Sequence, residues 1–292
     1  MAPHLIKTGK IQILGETSNS VVYAVDTDST TDLARDSHIV LKGGTVWYKG
    51  VKPFGNKIDD DETDRNLRKE AHLYEAIGSH PHIVACCGLE FLKDTNMPWA
   101  LRLERVQPGT NLRQHITKNT KSPPDISTRV DMAAQFAEGV AYLHSRDVVW
   151  SDLSTRNALL ALCDDNNFQI KLCDFVDSDF KSHYYSDWYG CEIRYCSPEP
   201  NNTVGIMKRE LFALGSAICE ITEWTVPYGE KTDHEEVEAK VRGGEWPYTS
   251  KDNPAGAVLT KCWKYQYSSA KDVVADLHQV LSQLLSPRLQ SS

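Results

Sequence analysis

The sequence has no CxxC pair, no internal repeat and no excess of positive charge. Its eight cysteines are scattered, and the closest spacings, Cys86 to Cys87 and Cys191 to Cys196, do not suit a zinc site. Scattered cysteines without a paired framework are typical of proteins from a reducing compartment. We therefore expect reduced and mostly buried cysteines.

The charge balance and the lack of long apolar runs argue against two classes of partner. There are 40 acidic and 32 basic residues, which gives a formal net charge of -8, whereas nucleic-acid binding needs a basic surface. No apolar run has the length of a membrane span, and neither a signal-peptide core nor a lipidation signal is visible. We expect no nucleic acid and no membrane as partners, and a cytoplasmic location with the nucleus as the alternative. The oligomeric state stays open.

The distribution of strand and helix patterns predicts an α+β protein. The first third contains short runs rich in valine and isoleucine, such as KIQILG, SVVYAVD and SHIVLKG, which predict a small antiparallel sheet. One segment there, NLRKEAHLYEAIGSH, has helical spacing and follows the acidic run DDDETD. After Thr110 the pattern is mainly helical, as in the strongly apolar KRELFALGSAICEITEW. We expect a β-rich N-lobe over residues 1–105 and a mainly helical C-lobe over residues 106–292.

The run VVWSDLSTRNALL, residues 148–160, places a polar cluster between two apolar stretches. Ser, Asp and Asn are common turn residues, so a simple surface turn explains this run equally well when it is taken alone. A strand-like run, QIKLCDFVD, follows and again ends at an acidic residue, Asp174. Other motifs are needed to distinguish a simple surface turn from a functional site.

The order of these motifs along the chain is informative. They are Gly15 in a turn between two strands, Lys42 at the end of HIVLK, Glu70 in the first long helix, Asp152 and Asn157 in the polar cluster, Asp174-Phe175, and Ser197-Pro198-Glu199. In this order the sequence resembles the protein kinase superfamily, from about residue 11 to about residue 285. The residues of these motifs are most similar to those of diverged kinase-like proteins common in fungi.

This resemblance implies a bilobal kinase fold that uses ATP and Mg²⁺. Lys42, positioned by Glu70, would contact the nucleotide phosphates, and Asp152 would orient the acceptor hydroxyl and accept its proton. Arg156 would lie near the γ-phosphate, while Asn157 and Asp174 would bind the metal. The remaining nucleotide contacts are expected from Gly15, Thr17, Ser20, Val22 and the interlobe hinge residues Leu103, Glu104 and Val106.

Several supporting positions depart from the family pattern. Only Gly15 remains of a GxGxxG loop, because Thr17 and Ser20 replace the other glycines. Trp150-Ser151 replaces a His-Arg pair, and Val176 replaces a glycine. Glu210 replaces an aspartate that hydrogen-bonds the catalytic loop, so the longer side chain puts the geometry of that loop in question.

The expected function is transfer of the γ-phosphate of ATP to a serine or threonine hydroxyl of a protein substrate. Tyrosine stays open as an acceptor, since Ser154 stands where serine/threonine kinases carry a lysine and Arg156 matches a tyrosine-kinase feature. Two alternatives remain: a pseudokinase that acts as a scaffold with little or no catalysis, and a kinase-like small-molecule phosphotransferase.

Overall fold

The computed structural model describes residues 11–16, 20–25, 38–44, 60–92, 94–163, 168–183, 190–199 and 203–286. The chain packs into two compact units. The first comprises Met1–Ser79 with Val84–Gly109, and the second comprises His80–Ile83 with Thr110–Ser292. The short segment His80–Ile83 thus belongs to the second unit, although both of its flanks belong to the first.

The first unit contains a five-stranded antiparallel sheet, as the valine- and isoleucine-rich runs predict. Its strands are β1 (Ile11–Glu16), β2 (Val21–Val25), β3 (Ile39–Gly43), β4 (Cys86–Phe91) and β5 (Pro98–Glu104). They lie in the order β1-β2-β3-β5-β4, and neighbouring strands are antiparallel. Tyr23, Leu41 and Ala100, from three of these strands, are buried together in one apolar cluster. Side chains alternate between the two faces of a strand, so this cluster fixes which face is buried.

Helix α1 (Asp60–Ile77) is the long helix of the first unit. It begins six residues before Asn66, where the apolar spacing had predicted its start, so Asp60 to Asp64 of the acidic run form the first turns of the helix. Acidic side chains are favourable there because the helix dipole is positive at its N-terminus. Leu67, Tyr74 and Ile77 are buried, and α1 packs against β4 and β5.

The second unit is mainly helical, as predicted. Its helices are α2 (Leu112–Lys118), α3 (Ile126–Ser145), α4 (Ile206–Glu223), α5 (His234–Arg242), α6 (Gly256–Trp263) and α7 (Ala270–Leu285). Residues 209–222 of α4 are all buried, which agrees with its strongly apolar sequence. Helices α3 and α6 pack against α4, and α7 packs against α3.

Short strand pairs hold the loops of the second unit. The remaining strands are β6 (Pro108–Asn111), β7 (Val148–Val149), β8 (Ala158–Leu162), β9 (Phe168–Leu172) and β10 (Asp179–Phe180). Strand β7 pairs with β10, and β8 pairs with β9, both in antiparallel register. Residues 150–157 therefore form the β7–β8 loop and residues 173–178 the β9–β10 loop, each fixed at both ends.

The cysteines differ from the expectation that most of them are buried. All eight are free thiols, but only Cys219 and Cys262 are buried. These two lie on α4 and α6, inside the helical core, whereas the others lie on strands, at strand ends or beside turns, where side chains reach the surface.

None of the helices in the described residues combines the length and the apolar character that a membrane span requires.

Candidate active site

The first unit holds a buried ion pair between Lys42 and Glu70. Lys42, on β3, and Glu70, on α1, are 4% and 1% exposed. The Lys42 Nζ atom lies 2.8 Å from both carboxylate oxygens of Glu70. Two charges are expensive to bury, and close, bidentate geometry is what offsets that cost. The pair therefore fixes the position of the ammonium group.

The close approach of α1 to β3 depends on Gly44, directly after the strand. A Cβ atom at Gly44 would lie 2.4 Å from Thr63 Oγ1, so any other residue here would displace the Thr63 side chain or the helix that carries it. Glu70 follows Thr63 by seven residues, about two helical turns, and thus lies on the same face of α1. The glycine brings the helix face that carries Glu70 close to the strand that carries Lys42.

The residues predicted to contact the nucleotide from β1, β2 and the turn between them are Gly15, Thr17, Ser20 and Val22. Val22 is directly opposite Lys42 in the antiparallel pairing of β2 with β3. Gly15 pairs with Val22, beside a register shift between Ile13 and Gly15. Ser20 is partly buried before β2, and Thr17 lies outside the described residues. Their contacts with a nucleotide stay predictions.

The predicted hinge lies at the end of β5. Leu103 and Val106 are buried, and the Glu104 amide donates to the Ala85 carbonyl over 2.8 Å. The Glu104 side chain accepts from the Ala85 amide over 3.1 Å. Among the described residues the Val106 amide has no hydrogen-bond acceptor, which leaves this N–H available to a ligand.

In the second unit, Asp152 and Asn157 meet within the β7–β8 loop. Asn157 Nδ2 donates to Asp152 Oδ2 over 2.7 Å and to the Asp152 carbonyl over 3.0 Å. Ser154 accepts from the Arg156 amide over 3.2 Å and caps the 3₁₀ turn Thr155–Asn157. The loop is therefore an ordered turn that orients the Asp152 carboxylate, rather than a mobile surface connection.

Glu210 holds this loop from the second turn of α4. Its Oε1 atom accepts from the amides of Trp150 and Ser151 over 2.7 and 3.1 Å, and its Oε2 atom lies 2.7 Å from His144 Nε2. The Ser151 backbone has a left-handed φ of 65°, which turns its amide toward α4. The question raised by the longer side chain is thus answered, because Glu210 reaches both amides.

Trp150 connects the two loops of the site. Its ring is buried between Phe136 and Phe175, with centroid distances of 5.9 and 6.1 Å. Its Nε1 atom donates to the Asp174 carbonyl over 3.1 Å. A tryptophan at this position therefore supplies both apolar packing and a donor that fixes the backbone of the β9–β10 loop.

Burial, together with nearby carboxylates, makes the ionised form of Asp152 unfavourable. Burial is the main cause that raises the pKa of Asp152 from 3.8 to about 6. The charges of Asp174, Asp177 and Glu192 raise it further, and the hydrogen bond from Asn157 opposes them. A carboxylate with this pKa is ionised at neutral pH and still basic enough to accept a proton.

The donor set fits a magnesium ion held together with a phosphate ligand. Asn157 uses its Nδ2 atom as the donor to Asp152, so Oδ1 remains as an acceptor, and Asp174 supplies a carboxylate. Mg²⁺ in nucleotide sites takes one or two protein oxygens and completes its shell with phosphate oxygens and water. Within the described ranges there is no cluster of three or more His, Cys, Asp or Glu side chains arranged for a metal, so the protein alone does not supply a full cage.

Sequence reasoning missed a buried ionic network behind the loop. Arg113 Nη2 donates to Glu220 Oε2 over 2.9 Å and to the Tyr195 hydroxyl over 2.8 Å, and this hydroxyl lies 3.0 Å from Thr155 Oγ1. Arg113 and Glu220 are buried, and Tyr195 is fully buried. The available signal was Glu220 itself, because it lies among the apolar residues Ile218, Cys219 and Ile221 of α4, and a buried charge requires a partner.

Arg156, expected near the γ-phosphate, is 60% exposed at its side chain, and its Nε atom lies 3.5 Å from Glu192 Oε2. Arg113 and Arg194 approach the same carboxylate at 3.3 and 3.4 Å. Three guanidinium groups therefore share Glu192. The role of Arg156 toward a nucleotide stays a prediction.

The sheet with its Lys–Glu pair and the helical unit with its Asp–Asn loop define a kinase domain. A family model described as protein tyrosine and serine/threonine kinase matches residues 44–280. The chain belongs to this protein kinase family. The match begins two residues after Lys42, so strands β1 to β3 lie outside it.

Among the individual relatives, some are named serine/threonine kinases and others tyrosine kinases. A probable serine/threonine-protein kinase of Dictyostelium discoideum is 26% identical over 75% of this chain and 16% of its own length. Fibroblast growth factor receptor 1 of Dugesia japonica is 30% identical over 57% of this chain and 22% of its own length. Tyrosine-protein kinase SRK3 of Spongilla lacustris is 29% identical over 80% of this chain and 69% of its own length. The chain therefore spans less than a quarter of the first two relatives.

Proposed function

We propose that this protein is an ATP- and Mg²⁺-dependent protein kinase that phosphorylates a serine or threonine hydroxyl of a protein substrate, with tyrosine as the alternative acceptor. The observation that carries the proposal is Asp152, a partly buried carboxylate with a pKa raised to about 6 and oriented by Asn157. Perturbed, oriented carboxylates of this kind are concentrated at catalytic sites. Membership of the kinase family supports the same reading.

Each residue has one task in the proposed reaction. Asp152 accepts a hydrogen bond from the acceptor hydroxyl, aims its oxygen and takes its proton as the new bond forms. Lys42, held by Glu70, neutralises charge on the nucleotide phosphates. Asp174 and Asn157 would hold the magnesium, which when bound offsets the negative charge of the phosphates.

Incorporation of labelled phosphate from ATP tests this proposal. Lys42→Met and Asp152→Asn are each expected to lower transfer to a generic protein acceptor by on the order of a hundredfold or more. Matched controls are Lys271→Met and Asp94→Asn, at exposed positions, which should retain the wild-type rate. The double variant Lys42→Met/Glu70→Gln removes both buried charges and separates loss of activity from loss of folding, which circular dichroism measures.

Equal incorporation by the wild type and the site variants would refute the proposal. Phosphoamino-acid analysis of the labelled acceptor then distinguishes serine and threonine from tyrosine.

A catalytically silent scaffold is the second candidate. The observation that favours it is the family match, which begins at residue 44 and leaves the altered glycine loop outside. A scaffold would show at most a rise in melting temperature with nucleotide and no turnover of ATP. A wild-type protein that turns over ATP would exclude it.

A further inference from the structure

Two thiols, Cys191 and Cys196, lie in contact beside the candidate active site. Their Sγ atoms are 2.9 Å apart, and Cys196 Sγ also lies 3.4 Å from the Cys191 carbonyl and 3.6 Å from the Glu192 carbonyl. Both cysteines are free thiols in residues of intermediate exposure. Neither has a task in the proposed phosphotransfer.

The backbone holds these thiols together. The turn Ile193–Tyr195 separates them, with hydrogen bonds from the Tyr195 amide to the Glu192 carbonyl (2.8 Å) and from the Cys196 amide to the Ile193 carbonyl (3.1 Å). The Tyr195 ring anchors this turn, because it is fully buried and its hydroxyl donates to Glu220. A disulfide bond of about 2.05 Å requires the sulfurs to approach by less than about 1 Å.

We propose that Cys191 and Cys196 form a modification site, which an oxidant of the peroxide class closes reversibly to an intramolecular disulfide. The site does not depend on the proposed kinase activity, because its formation is measured directly on the two sulfurs.

The chemistry balances with hydrogen peroxide as the oxidant. The Cys196 thiolate attacks one peroxide oxygen, the O–O bond breaks, and a sulfenic acid and one water form after protonation of the leaving hydroxide. The Cys191 sulfur then attacks the sulfenic sulfur, hydroxide leaves, and the thiol proton converts it to the second water. Two thiols and one peroxide thus give one disulfide and two waters, with sulfur oxidised and peroxide reduced.

The surroundings favour Cys196 as the attacking thiol. The hydrogen bond from Cys191 is the main cause that lowers the pKa of Cys196, and the charge of Arg209 acts in the same direction against the opposing effect of burial. The thiolate is the nucleophilic form, so a lowered pKa raises the reactive fraction at neutral pH.

Closure would constrain the residue that links this turn to the catalytic loop. Glu192 lies between the two cysteines, contacts Arg156 and contributes to the raised pKa of Asp152. The disulfide would hold Glu192 in the conformation described here, because the two sulfurs already meet in it.

Tryptic peptides provide the test, since Arg194 separates the two cysteines. The folded protein is treated with hydrogen peroxide, free thiols are alkylated, and the denatured chain is digested and weighed. We expect peptides 182–194 and 195–208 to appear linked, at the sum of their masses less two hydrogens, and to separate after reduction.

Cys191→Ser and Cys196→Ser should each abolish the link. Cys163→Ser, at another partly exposed cysteine, should retain it. Two separate alkylated peptides from the oxidised wild type, or a link that forms only after unfolding in urea, would overturn the proposal.

Discussion

Replacing Asp152 by asparagine removes a charge that the folded protein disfavours. Burial first, and then the charges of Asp174, Asp177 and Glu192, raise the pKa of Asp152 from 3.8 to about 6, against the hydrogen bond from Asn157. The unfolded chain keeps the ordinary value. Between about pH 4 and about pH 6 the folded state therefore binds more protons than the unfolded state, and the free energy of unfolding falls as the pH rises through this window.

The size of the effect follows from the shift. A difference of about 2 pKa units at about 1.4 kcal/mol each corresponds to about 3 kcal/mol at neutral pH, where Asp152 is ionised in both states. At about pH 5 the folded Asp152 is mostly protonated, and about half of that cost remains. Asparagine carries no charge and can still accept the bond from Asn157 Nδ2. We therefore expect the free energy of unfolding of Asp152→Asn to exceed that of the wild type by about 3 kcal/mol at about pH 7.5. At about pH 5 we expect the difference to be about 1.5 kcal/mol.

Urea unfolding of both proteins at the two pH values measures this difference. Asp94→Asn, in an exposed turn with a φ of 59° that asparagine also tolerates, is the control and should match the wild type at both pH values. A variant that is no more stable than the wild type at about pH 7.5, or a difference that does not change with pH, would refute the reasoning.

Three further predictions concern the groups that support the loop. Trp150→Phe keeps an aromatic ring but removes the donor to the Asp174 carbonyl and part of the packing against Phe136 and Phe175, and should cost at least about 1–2 kcal/mol in urea unfolding; an unchanged midpoint would contradict this. Glu210→Asp should cost about 2–4 kcal/mol, because the shorter side chain cannot reach the two backbone amides. Glu210→Gln keeps one acceptor oxygen and should cost less. The reverse order in urea unfolding would show that the length of the side chain is unimportant. Arg113→Met leaves Glu220 buried without its partner and should cost about 3–5 kcal/mol, part of which Arg113→Met/Glu220→Leu should recover in thermal melting; a double variant as unstable as the single one would count against this pairing.

Local patterns in the sequence were sufficient for the main elements and for part of the site. Alternation predicts the strand that carries Lys42, and helical spacing predicts the helix that carries Glu70. The expected ion pair between Lys42 and Glu70 is present. Asp152 and Asn157 are five residues apart, so a single turn brings them together. The start of α1 was misplaced, because the acidic run lacks the apolar spacing on which the prediction relied.

Contacts between distant parts of the chain were beyond such patterns. Glu210 was known to differ from the family pattern, but whether its carboxylate could reach amides 60 residues away depends on how α4 packs beneath the loop. The pairing of Arg113 with Glu220 spans 107 residues and has no local signature besides a charge in an apolar helix.

The sequence by itself determined the type and order of the elements, since side-chain periodicity acts over a few residues, and the order of motifs determined the family. Only the tertiary structure decided which polar groups meet. It brought the Trp150 indole to the Asp174 carbonyl, and it anchored through Tyr195 the turn that joins Cys191 to Cys196. Such meetings depend on the packing of helices and loops far apart in the chain, and a buried polar group is stable only where that packing supplies its partner.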